Sequence, residues 1–191
     1  MIMLLVGLAV FLGMHSVSIF APQWRGAMAS RMGTLPWKGL YSAVSIVGFA
    51  LLWKGYALAR LEPIPIYVPP AGLRHVAALL MLPVFPLLLA AYLPGRIKTL
   101  AVHPMLVAVK LWAASHLLAN GMLADIVLFG AFLAWAVMDR ISLKRRAPTD
   151  TPSLPRSTVN DAIVVIGGLA LYGVFVGRWH EALIGVAPFG G

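Results

Sequence analysis

Five histidines, His15, His75, His103, His116 and His180, are the side chains of this 191-residue chain that could bind a metal or carry a proton near neutral pH, and there is no cysteine. The missing thiols exclude disulfides, thiolate metal sites, iron–sulfur clusters and thioether-attached haem, so a metal or haem must be held by histidine, methionine or oxygen ligands. His15 and His116 each fall inside a long apolar run. An ionisable side chain in a spanning helix is costly unless it faces the bundle interior and finds a partner. Two histidines on separate helices are what bis-imidazole haem ligation in a bundle requires. Hydrogen bonding across helices, as serine or asparagine would do, is the simpler use of the same residues. His75 and His180 fall at helix ends, where a partly hydrated interfacial role suffices. His103 precedes Pro104, which marks a helix start.

Lys110 is the other anomaly, about seven residues or roughly 10 Å into the fourth apolar segment. It can snorkel back along His103, one heptad earlier on nearly the same face, or serve as the cation for a haem propionate or another anionic group. The helical period puts Trp112 and Asn120 on the stripe of His116. Asn120 could orient the imidazole, although capping its own helix is the ordinary use of that residue.

These residues are set in a chain that is 61% apolar and 11% charged, with mean hydropathy +0.90. That composition rules out a water-soluble globule. Lipid offers the backbone no hydrogen-bond partners, so the apolar runs must be helices, and the alternating short strands of a barrel are missing. Six segments are expected to cross: 1–21, 40–59, 76–93, 105–119, 122–137 and 162–176. The fold class is therefore an all-α polytopic membrane bundle, one domain over residues 1–191. The first segment has no basic residue ahead of it and Pro22 behind it, so it reads as a retained helix and not a signal peptide. Pro83 and Pro86 should kink the third segment. Asn120-Gly121 should turn a tight hairpin between the fourth and fifth. The loop holding Pro63, Pro65, Pro69 and Pro70 should run extended at the surface, and 147–157 reads as a mobile polar linker. Asn160 and Asp161 are placed to cap the sixth segment.

The net charge of +9 comes from basic residues lying between apolar runs, which points to topology and anionic headgroups and not to nucleic acid. With the N-terminus outside, ten of the 15 lysines and arginines fall in inner loops and three outside, leaving Lys54 and Lys110 within helices. The positive-inside rule then places both termini in the periplasm of a bacterial inner membrane.

Gly13-Met14-His15-Ser16, Trp37-Lys38-Gly39-Leu40-Tyr41-Ser42 and Arg74-His75 resemble the NnrU family. So do His103-Pro104-Met105-Leu106, Lys110-Leu111-Trp112-Ala113, His116-Leu117-Leu118-Ala119-Asn120-Gly121 and Leu128-Phe129-Gly130, and the likeness covers nearly the whole chain. The resemblance implies a polytopic membrane protein associated with denitrification and nitric oxide metabolism. That family is similar to the zeta-carotene isomerases, membrane haem b proteins that turn a central cis double bond of a carotenoid to trans. By that similarity His15 and His116 would be the axial ligands, with His103 and Lys110 near the cofactor and an apolar polyene as substrate. The plant isomerases carry a cysteine three residues before the later histidine, where this chain has Ala113, so a histidine-to-cysteine ligand switch is excluded. The spacing raises a geometric difficulty: measured from Pro22 and His103, the two histidines stand about 10 Å and about 20 Å above the inner surface.

Two classes of function are compatible with these features. One is a haem-dependent isomerase. The other is a non-enzymatic accessory protein for the assembly or electron supply of nitrite and nitric oxide reductases. The His-Pro motif is also similar to membrane methyltransferases, but their distal cofactor-binding carboxylate and glycine pattern is missing.

Overall fold

The computed structural model describes residues 1–145 and 155–188. Among these residues ten α-helices run in the order α1 (Ile2–Phe20), α2 (Pro22–Met32), α3 (Thr34–Ala59), α4 (Leu73–Met81), α5 (Val84–Tyr92), α6 (Arg96–Ala101), α7 (Pro104–Ala119), α8 (Leu123–Arg145), α9 (Thr158–Val174) and α10 (His180–Ile184). A π-helical segment, Phe175–Trp179, joins α9 to α10. Among the described residues five stretches are long and apolar enough to cross a membrane: α1, α3, Leu73–Tyr92, α8 and Thr158–Ile184. The sixth expected crossing, α7, has 16 residues and spans about 24 Å, short of a hydrocarbon core of about 30 Å. Among the described residues there is no strand, only an isolated bridge between Pro65 and Met122.

The expected kink is present between α4 and α5, where Pro83 and Pro86 withdraw two N–H groups. The hairpin between α7 and α8 turns through Asn120–Met122. The proline-rich loop is tied to that turn: Ile66 N donates to Gly121 O (2.9 Å), and Leu123 N to Ile64 O (2.8 Å). Tyr67 OH donates to Leu117 O and Asn120 O, carbonyls left open at the end of α7. A Cβ on Gly121 would collide with Tyr67 O, so only glycine lets the loop approach.

Several expectations are corrected. The stretch after Pro22 is a helix, α2, with Pro at its first turn, no buried residue, and Trp24 edge-on to Trp37. Gly33, at φ 87°, ends α2 and lets α3 begin at Thr34, six residues before position 40. Helix α8 runs on to Arg145, well past position 137, because nothing after Val137 breaks it. Ser157, and not Asn160 or Asp161, caps α9, its side chain accepting from Val159 N. Asp161 is thereby free to cap a neighbour, accepting from Arg96 N (2.9 Å) and Ile97 N (3.0 Å) at the start of α6. Asn160 Nδ2 donates to Pro94 O. The proposed linker falls mostly on 146–154, outside the described residues.

Without water, helices associate in lipid through close packing and hydrogen bonds. Helices α1 and α3 run antiparallel with their backbones nearly touching. A Cβ on Gly48 would stand 2.7 Å from Phe11 N, and Cβ atoms on Gly7 and Gly55 would run into the backbones of Leu52 and Leu4. Leu4, Leu8, Leu52, Ala59, Ala113, Ala124, Leu128 and Phe129 form the main core, uniting α1, α3, α7 and α8. A second cluster, Val84, Leu87 and Ala108, ties α5 to α7. Helix α9 joins through α5, with Gly168 on Pro86 and Tyr172 OH donating to Ala78 O. Large apolar side chains such as Ile46, Leu79 and Ile166 face outward, as lipid contact allows. Arg25 and Lys38 line a cleft with Tyr41, and Tyr41 and Trp135 both meet the His15 ring, so the first turns of α3 lie on the same side of the bundle as the part of α8 that leads to Arg140.

One buried acid stands at the opposite end. Asp125, 4% exposed, accepts from Tyr56 OH at 2.6 Å and from Met122 N at 3.3 Å, so its charge is met by α3 and by its own helix start. Replacing Tyr56 by Phe removes the strong donor and leaves a carboxylate oxygen unpaired; unfolding in detergent should lose about 1–3 kcal/mol. Gly7→Ala and Gly55→Ala should each cost about 1–3 kcal/mol by overpacking. Gly13→Ala, with no neighbour within 4 Å of the added Cβ, should be neutral in the same thermal-unfolding assay.

Candidate functional site

His116 lies on the last turn of α7. Its Nδ1 is 2.8 Å from Trp112 O, one turn back on the same helix. A carbonyl only accepts, so Nδ1 carries the proton, and in the neutral ring Nε2 is the nitrogen with a free lone pair. Phe129 of α8 stacks on the ring at 4.4 Å and 26°, and Trp112 stands 5.4 Å away. His180 faces it, the two imidazole centres 6.4 Å apart and their planes inclined by 22°. Nδ1 of His180 is 2.7 Å from Val186 O, so this ring too keeps Nε2 free among the described residues.

His180 reaches this position because the helix before it changes its winding. Phe175–Trp179 is π-helical, and each such turn inserts one residue relative to an α-helix, rotating the next turn of chain by about 100°. The end of α10 is then held in place by Arg60, whose Nη1 donates to Ile184 O at 2.8 Å while its guanidinium lies 5.7 Å over the Tyr56 ring. Tyr56 is the donor to Asp125, so α3, α8 and α10 are linked by one polar chain beside the histidine pair.

His15 belongs to a different layer. Its Nδ1 is 2.7 Å from Phe11 O, and its ring meets Phe11, Tyr41 and Trp135 at 4.3, 5.3 and 5.9 Å. Ser45 Oγ and Trp135 Nε1, on the helices flanking it, are buried with no partner among the described residues. Six residues of α8, about 9 Å of rise, separate Trp135 beside His15 from Phe129 beside His116. No ring contact joins His15 to His116 among the described residues; Phe11, Phe132 and Trp112 lie between, at successive centre distances of 5.8 and 5.4 Å. Near the His15 layer, Arg25, Ala29, Thr34, Trp37, Lys38 and Tyr41 line an open cleft of about 390 Å³.

His103 sits at the start of α7, where burial and the charge of Arg140 hold its imidazole below its usual range. Lys110 is half-buried on α7, with no hydrogen bond or ion pair among the described residues. Asn120 Nδ2 donates to the backbone O of His116 and so caps the helix instead of orienting the ring. His75 is exposed at the start of α4. Sequence reasoning passed over His180 as interfacial and did not weigh Asp125. The second was detectable as the lone charge in the segment 122–137.

The family model for the NnrU protein matches residues 3–188. No curated protein and no solved structure is a match for the chain. A family model covering nearly the whole chain, on a helical bundle with five membrane-length helices, establishes that this protein belongs to the NnrU family.

Proposed function

We propose that this protein is a multi-pass membrane haem b protein of the bacterial inner membrane, acting on an apolar polyene as a cis–trans isomerase in cells that handle nitrogen oxides. The observation that supports this reading is His116: an imidazole inside an apolar bundle, anchored through Nδ1 on Trp112 O, with Nε2 free and an aromatic wall on each side. Ligating histidines characteristically donate their second ring nitrogen to a carbonyl in this way, which fixes the tautomer and raises ligand basicity. The donor set fits haem b, since there is no thiol and imidazole is a usual haem ligand.

Haem b, when bound, supplies an iron centre that acts as a Lewis acid or exchanges one electron. The chain does the rest. His116 would hold the iron. Trp112, Phe129 and Phe132, packed edge to face, keep water from His116 and make its surroundings apolar, as a polyene substrate would require. Lys110, six residues before His116 and unpaired among the described residues, would be the cation for a propionate. Tyr56 and Arg60 keep Asp125 and α10 engaged, so no unmet charge opens the site to water.

The full-length protein, purified from haem-sufficient cells, should give a pyridine haemochrome of b type near one haem per chain. His116→Ala should lower that occupancy at least about tenfold, the lower end of what is lost with even a supporting group of a metal site. The wild type should also rescue a strain that accumulates cis-zeta-carotene. A colourless wild-type protein would overturn the haem reading. Haem uptake without rescue would remove the isomerase and favour an accessory role beside nitrite and nitric oxide reductases.

A further inference from the structure

We infer that His116 and His180 form the axial pair of a single haem iron, so that the rod ending in α10, and not α1, supplies the second ligand. This rests on the haem reading above and adds the ligand opposite His116. Two imidazoles that share one metal, with a metal–nitrogen bond near 2 Å on each side, have ring centres about 6 Å apart. The observed separation is 6.4 Å. Each ring is oriented by its own Nδ1 bond, to Trp112 O and to Val186 O, and each leaves Nε2 as the free nitrogen.

Two imidazoles are the number of donors that a porphyrin iron takes from a protein. Among the described residues no group of three or more histidines and acids could enclose a bare ion. Asp125, an acid on the neighbouring helix α8, already engages both oxygens, with Tyr56 OH and Met122 N. A porphyrin brings four nitrogens of its own, so two imidazoles complete six-fold coordination. The π-helical segment adds an independent argument. Such windings are rare and concentrate at functional sites, and this one sets the phase of His180 toward α7. Arg60 then pins the following turn through Ile184 O. Among the described residues the His15 ring meets the rings of Phe11, Tyr41 and Trp135, a layer about 9 Å along α8 from the neighbours of His116.

The test uses haem-loaded, full-length protein in detergent. His180→Ala should convert a low-spin optical spectrum to a high-spin one, and added free imidazole should restore the low-spin form. His15→Ala should leave the spectrum unchanged. His180→Met should remain low-spin with a raised reduction potential, because methionine–histidine ligation raises it; this variant keeps a side chain of similar bulk and so does not depend on tolerating a cavity. A His180→Ala protein that stays low-spin, or a His180→Met protein with the wild-type potential, would overturn the pairing while leaving the haem reading intact. Wild-type protein that takes up no haem would instead overturn the reading beneath it.

Discussion

Hydrocarbon gives a polar group nothing to bond, so every hydrogen-bonding atom held inside this bundle must be met by protein. That constraint orders much of the structure. His15 and His116 both turn Nδ1 to a carbonyl one helical turn back, which satisfies one nitrogen locally and leaves the other to be used. Asp125 takes two donors, and Arg60 caps an open carbonyl of α10. Among the described residues the two side-chain atoms that break the rule, Ser45 Oγ and Trp135 Nε1, lie on the two helices that flank His15.

Packing explains how helices that are apolar on all sides still choose neighbours. In lipid, one apolar surface is as good as another, and close backbone approach decides. Gly7, Gly48 and Gly55 provide it between α1 and α3, and Gly168 between α9 and α5. This leaves α7, too short to span the hydrocarbon core, wedged among α4, α5 and α8, where its side chains meet protein on more than one side. A helix in that position is the one on which a buried imidazole can be built.

Much of the architecture was legible because lipid permits so few alternatives. Apolar runs had to be helices, Pro83 and Pro86 had to kink the third, and Asn120-Gly121 had to turn. The start of α2 was also signalled, by Pro22 at its first turn and Gly33 beyond its end, but a segment without an apolar run gives hydropathy nothing to register. The capping swap, with Ser157 on α9 and Asp161 on α6, depends on how two distant helix ends meet, which local sequence does not encode. The candidate site was half legible. His116 was singled out, together with His15, by lying inside an apolar run, and the mismatch between the two, about 10 Å, was visible in the spacing. The role of His180 was hidden, because its phase is set by a π-helical turn, and nothing in Phe175–Trp179 distinguishes that winding from an α-helix in advance.

The account comes down to two imidazoles at 6.4 Å sharing one iron. Electron paramagnetic resonance of the oxidised, haem-loaded wild-type protein addresses it directly. The account predicts a low-spin ferric signal of the kind given by two imidazole ligands. A high-spin ferric signal, with only one protein ligand on the iron, would contradict it.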